Sequence, residues 1–411
     1  MRARSPKQLA VVIALSVLGL CGCGKGSTLQ ASGGNPAQKL APVAAQGAVS
    51  VVTRNTTRLG GGDVATDAAA VARAVYPALT AATRPEVVVL VNEHDWLPAL
   101  VASVLSSAPT GAPILFSEGN NLPTVTRQTL EALHPLGAPA LGGAQVIRIG
   151  TSAPVPDRYL TQTVSLGVPS ASAVSVERLL VTLDHGSDPS QVILLAANDP
   201  EAIAMPAAGL AAESGAPIML VTRSRVPVPT FNALARLHKP SLYVIDPSSV
   251  GASTIAELRH YGHVTNLTSA RALGAGDAAA VQNAIEVARF TDGTFGWGVK
   301  EPGHGLVFAN AGRPFDAPAA ALLSATGDYG PLLLLASAHQ LPSPLVSYLS
   351  DIQPAYTSAP QFQPVRGVYN HGWLIGDEQA ASAVIQAEID TLLEISSRSQ
   401  TPEEPSVSQV E

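Results

Sequence analysis

The chain is poor in aromatic residues, which make up 4% of it, and has only two cysteines, Cys21 and Cys23. A mature chain starting at Cys23 would hold one cysteine, so a disulfide-stapled scaffold is excluded. Charged residues are scarce at 13%, and the formal net charge is −7. That balance offers no basic surface of the kind nucleic acids require. H-E-x-x-H, G-x-S-x-G and Walker loops are all missing, as is a usable catalytic cysteine. The chain is therefore expected not to be an enzyme, and to hold no metal or cofactor. The apolar run from Leu9 to Leu20 is too short to span a bilayer comfortably.

That run follows Arg2, Arg4 and Lys7, which is the layout of an export signal. Leu20-Cys21-Gly22-Cys23 resembles the lipobox of bacterial lipoproteins, with a small residue before the cysteine. The resemblance implies a signal peptide over 1–22 and lipidation of Cys23; bulky Leu20 disfavours Cys21. The alternative is an ordinary cleaved signal with two incidental cysteines. Residues 23–50 are Gly, Ser, Ala, Gln and Pro with few large apolar side chains, as a flexible tether would be. The tail over 396–411 has an equally core-poor composition and is expected to be disordered. Removing Arg2, Arg4 and Lys7 shifts the formal charge from −7 to −10.

Between tether and tail one pattern is written three times. "APILF", "APIML" and "GPLLLL" place prolines at Pro113, Pro217 and Pro331. Further prolines follow at near-constant spacing: Pro123, Pro227 and Pro342, then Pro135, Pro240 and Pro354. Upstream stand "PAL" at Pro98, "EAI" at Glu201 and "DAP" at Asp316, preceded by the apolar runs "VVVLVN", "VILLAAN" and "GLVFAN". Landmarks recurring in order define a threefold repeat, divided here as 51–155, 156–268 and 269–395. The third copy carries an extra Gly-rich loop, "DGTFGWGVKEPGHG".

Each copy alternates short, continuously apolar, β-branched runs with segments of helical spacing. Such alternation predicts an α/β fold with buried parallel strands and helices on both sheet faces. Ala-rich helices are predicted from Asp63 and from Asp277.

The pattern "RLGGGDVATDAA…VVVLVNEHDWLPAL…APILF…LP", repeated three times, resembles the cell wall-binding repeat 2 family. Arg58, Gly61 and Asp63 match its opening in the first copy, and Arg271, Gly274 and Asp277 in the third. Its Asp-Ala-Leu position falls at Pro98, Glu201 and Asp316, and its Pro-Ile-Leu-Leu position at "PILF", "PIML" and "PLLL". Its closing Gly-Gly turn falls at Gly142-Gly143 in the first copy and at "WLIGD" from Trp373 in the third; the second has "VIDPSS". The resemblance implies three tandem Rossmann/flavodoxin-like units in a pseudo-threefold body. It also implies non-covalent binding to a cell-wall polymer, polysaccharide or teichoic-acid-like. The polymer-binding candidates it marks are Pro113, Ile114, Leu115, Pro217, Ile218, Met219, Pro331, Leu332, Leu333, Arg58, Arg271, Glu201 and Asp316. Core packing alone would also account for the apolar ones.

The expected protein is a lipid-anchored one facing the wall outside the cytoplasm. A solute-binding lipoprotein of a transporter is the alternative, although a triplicate chain suits two lobes poorly. "GGGDVA" from Gly60 and "GAGDAA" from Gly274 satisfy G-x-G-x-x-A, but the preceding "TRNTTRL" and "TNLTSARAL" look too polar for the required strand. Glu93, His94 and Asp95 cluster at a strand end without counterparts of common chemistry, and His260 and His263 are expected to be solvated.

Overall fold

The structure is a computed structural model and describes residues 49–269, 276–325, 330–355 and 369–396. Cys23, Arg271 and Gly274 lie outside these residues.

The chain opens with β1 (Val49–Val52), β2 (Thr56–Gly60) and α1 (Val64–Val75). Next come β3 (Val88–Asn92), α2 (Trp96–Ala102), β4 (Ile114–Ser117), α3 (Thr124–Leu133), β5 (Val146–Ile149) and β6 (Thr161–Val164). The middle of the chain forms α4 (Pro169–Leu183), β7 (Gln191–Ala196), α5 (Glu201–Ala204), α6 (Pro206–Ser214) and β8 (Ile218–Val221). It continues through α7 (Val228–Arg236), β9 (Ser241–Val244), α8 (Ala252–Leu258) and β10 (His263–Asn266). The last stretch holds α9 (Asp277–Arg289), β11 (Gly305–Asn310), α10 (Asp316–Ala325) and β12 (Leu332–Leu335). It ends with α11 (Ser343–Asp351), β13 (His371–Ile375) and α12 (Ala383–Leu393).

Three sheets result, with strand orders β4-β3-β5-β6, β8-β7-β9-β10 and β12-β11-β13-β2-β1. Every pairing is parallel except that of β1 with β2. The expected α/β class with parallel, Rossmann/flavodoxin-like sheets is what the chain forms.

The repeated prolines have local causes. Pro113, Pro217 and Pro331 stand immediately before the edge strands β4, β8 and β12, where a missing N–H leaves no ladder bond broken. Their carbonyls accept from Val89, Ile193 and Val307 of the central strands at 2.9, 3.0 and 3.0 Å. Pro123, Pro227 and Pro342 precede α3, α7 and α11, and their carbonyls accept the first helical bonds from Arg127, Phe231 and Val346.

The sheets do not follow the boundaries of the sequence repeat. β6 lies beyond residue 155 yet completes the first sheet, by pairing with β5. β10, within 156–268, completes the second sheet beside β9. For the third sheet that position is taken by β2, from the other end of the chain, paired with β13. Each completing strand leads into a helix that crosses to the next sheet. α1 leaves β2 and packs on β4 and α3, α4 leaves β6 and packs on β8 and α7, and α9 leaves β10 and packs on β12 and α11.

α6, α10 and the turn Ser103–Ser106 after α2 pack against one another at the centre. This contact is close because its residues are small: Ala207, Ala208, Ala211, Ala319, Ala320 and Ala321 are all buried. A Cβ at Gly209 of α6 would come within 2.7 Å of the Ser324 hydroxyl on α10, so a larger residue there would force Ser324 or the helices to shift. One apolar cluster runs through residues of all three sheets, which makes the repeats one folded body.

Candidate functional site

Open parallel sheets bind ligands beyond the carboxyl ends of their strands, where the strand order reverses. In each sheet here the reversal falls between the central strand and its third-strand neighbour, so the loops after β3, β7 and β11 face those after β5, β9 and β13. Pairing registers give the equivalences: Asn92, Ala196 and Asn310 sit opposite Ser117, Val221 and Leu335. The amides of Asp95, Asp199 and Arg313 then donate to the carbonyls of Asn92, Ala196 and Asn310 at 3.1, 3.0 and 2.9 Å. One turn geometry therefore carries aspartate at the first two sheets and arginine at the third.

At the third sheet that side chain is Arg313, which binds Asp316 at 2.8 Å, forms an ion pair with Asp67 of α1 and lies 3.9 Å from Asp377. Asp67 is 0% and Asp316 1% exposed. Burial first, and the neighbouring Asp316 charge second, push the Asp67 carboxyl up to about 9. Burial raises Asp316 as well, against the pull of Arg313. Two carboxyls on one guanidinium tie the loop after β11 to a helix that entered from the start of the chain.

The same helix answers the glycine fingerprint. Contrary to expectation, "TTRLG" is a buried strand, β2, and it runs directly into the Gly60 turn and α1. The strand–turn–helix context is thus present. Its anion position, however, is filled from within: the Gly61 amide donates to Asp67 at 2.6 Å, and a Cβ at Gly60 would lie 2.1 Å from the same carboxylate. Polar Thr56, Thr57 and Arg58 hid the strand, because their side chains are buried by pairing with α12 and β13 rather than by apolar packing.

At the second sheet Asp199 stands where Arg313 does in the third, and burial raises its carboxyl to about 7. Asp246 follows β9 at φ 46°, at the register where Gly150 (φ 67°) and Gly376 (φ 93°) follow β5 and β13. Its carboxylate satisfies its own loop, accepting from the Ser248 amide at 3.2 Å and the Ser249 hydroxyl at 2.6 Å. At the first sheet Asn92 donates to Asp95 at 2.8 Å and accepts from the Gly119 amide at 3.0 Å, while burial raises half-buried Glu93. His94, His260 and His263 are exposed. Among the described residues no group of three or more His, Cys, Asp or Glu is placed to hold a metal ion.

The residues marked by the sequence are mostly internal. Pro113, Ile114, Leu115, Pro217, Ile218, Met219, Pro331, Leu332 and Leu333 are all buried in β4, β8 and β12 or at their starts. Direct polymer contact through them is corrected to a core role: their burial between helices leaves no side chain for a polymer to touch. Arg58 is 2% exposed and donates to Gln386 at 2.9 Å and to the Asp377 carbonyl at 2.6 Å. Asp316 is held by Arg313, leaving Glu201 as the exposed member of the described set. Two alignments also shift. Ala202, one residue after Glu201, shares the register of Pro98 and Asp316. The glycine equivalent to Gly376 is Gly150, whereas Gly142 and Gly143 form a turn before β5.

The architecture defines a class: parallel α/β sheets joined by exchanged strands around a shared helical centre. Two cell wall proteins of Clostridium difficile have a similar fold. Cwp6 matches with a TM-score of 0.61 and 17% identity over 84% of this chain and 51% of its own. Cwp8 matches with a TM-score of 0.61 and 17% identity over 83% of this chain and 52% of its own. This chain thus spans about half the length of each. No family model and no curated protein matches the sequence.

Proposed function

We propose that this protein is a cell-surface protein that associates non-covalently with a wall polymer and acts by binding rather than catalysis. The observation that supports the reading is the shared fold, whose neighbours are cell wall proteins, together with the repeat pattern of the sequence. Cys23 serves as the lipid anchor, and 24–48 as the tether to the folded body. Three equivalent sheets on one helical centre are not the two lobes that a solute-binding lipoprotein requires. With the Pro-Ile-Leu-Leu strands buried, contact falls to surface grooves between units.

The test is retention of a chain starting at Val49 on purified wall, before and after removal of secondary polymers. Retention should survive about 0.5 M NaCl, where screening shortens electrostatic reach to a few ångströms. Failure to bind wall in any buffer would overturn the reading. Cys23→Ala should release the full chain from membrane pellets, whereas Cys21→Ala should not.

A further inference from the structure

The extra Gly-rich loop of the third repeat follows α9 and lies against the start of the second sheet. It is a built element. Tyr243 of β9 donates to Asp292 at 2.7 Å, and Phe295 stacks on the Tyr243 ring at 3.9 Å and 13°. Gln191 donates to the Thr294 carbonyl at 3.3 Å, and a Cβ at Gly296 would lie 2.5 Å from the Phe290 carbonyl oxygen.

Three cavities meet along this loop. A cavity of about 390 Å³ is bordered by Arg289, Lys300 and Thr291. Thr291 also lines the next, of about 340 Å³, with Gln191, Glu213 and Ser214. Gln191 and Ser214 in turn line a third, of about 250 Å³, which Asp184 and Asp188 border. Shared lining residues set them side by side in one grooved face that runs from the third repeat across the second to the edge of the first.

Its two ends differ in charge. Lys300 is exposed and has no ion pair among the described residues, while Arg289 beside it pairs with Asp351 and lies 5.0 Å over the Tyr348 ring. In the middle cavity Glu213 has no ion pair among the described residues, and at the far end, beside Asp184, Asp188 lies 3.9 Å from Arg236. Between them lie hydroxyls and amides suited to a hydroxyl-rich chain.

We propose that this groove binds a zwitterionic stretch of polymer, seating a phosphate at Lys300 and Arg289 and a protonated amine at Glu213 and Asp184. The proposal rests on the wall-polymer reading and resolves a conflict within it. The processed chain, at −10 once Arg2, Arg4 and Lys7 are removed, repels a purely anionic polymer, whereas ammonium groups on that polymer meet the acidic part of this face.

The probe is polyglycerol phosphate bearing alanyl esters, whose amines are free, compared with the same polymer stripped of esters by mild base. Calorimetric titration should show the esterified polymer binding about tenfold tighter, the scale of one charge-assisted contact. Glu213→Gln should abolish that difference, and Lys300→Gln should weaken both polymers. Both residues are exposed, so unchanged unfolding midpoints confirm intact folds. Equal or tighter binding of the stripped polymer, or no binding of the esterified one, overturns the proposal. Wall retention without discrimination between the polymers leaves the wall reading standing and sinks only the groove. Discrimination without wall retention does the reverse.

Discussion

The first two sheets and the third have the same order of parallel strands but acquire their completing strand differently. β6 and β10 follow their sheets directly in the chain, whereas β2 must travel from the other end to reach β13. The first two closures are local and the third is not, so its loop-closure cost is greater and more side-chain bonding accompanies it. Arg58 of β2 donates to Gln386 and to three backbone carbonyls, Asn55 donates to the Asp390 carbonyl at 3.0 Å, and Asp67 holds Arg313. By contrast β6 and β10 are part-exposed strands that contribute to no buried ion pair among the described residues. A tandem repeat becomes one body through its least local strand.

The largest test of that difference removes the strand. Deleting residues 1–60 should abolish the cooperative unfolding transition and the near-UV circular dichroism signal, since β13 and α12 lose their partner. Deleting 1–52, which takes only the exposed β1, should cost less than about 1 kcal/mol. Equal effects of the two deletions would show that β2 does not close the fold.

Next in size is the ion cluster. Arg313→Ala leaves two buried carboxyls without their cation and should destabilise the protein by about 3 kcal/mol in urea titrations. The pH dependence has a definite sign. Burial and the shared Arg313 site let the Asp67–Asp316 pair hold one proton to a higher pH than in the unfolded chain, where an aspartate loses its proton near ~4. The folded state thus binds more protons across that window, so this contribution is full below the window and is lost as pH rises. The slope reaches about 1.4 kcal/mol per pH unit, and Asp67→Asn should flatten it. A wild-type stability that rises as the pH is taken above neutral would refute this assignment.

Smallest is the central helix contact, which all three repeats share. Gly209→Ala should cost about 1–3 kcal/mol by forcing α6 away from Ser324. A smaller loss, measured by thermal unfolding, would mean that the centre is looser than the closure.

Much of the fold was legible because its signals are local. A β-branched apolar run such as Val87–Val91 can only be a buried strand, and a proline before a helix or at a strand start repeats wherever the same backbone recurs. The site was less legible. Asp316 and Arg58 were marked as polymer-binding candidates, but the partners that bury them, Arg313 and Gln386, are fixed only by packing.

The sequence by itself determined a threefold α/β repeat, because hydrophobic periodicity and proline placement are properties of neighbouring residues. Only the tertiary structure decided that β2, a strand rich in threonine with a buried arginine, belongs to the third sheet. Its burial depends on hydrogen bonds to residues more than three hundred positions away, such as Gln386 with |i−j| of 328, and no local pattern encodes such a partner. The same holds for the groove, whose walls come from three repeats and whose opposite charges meet only after the chain has closed.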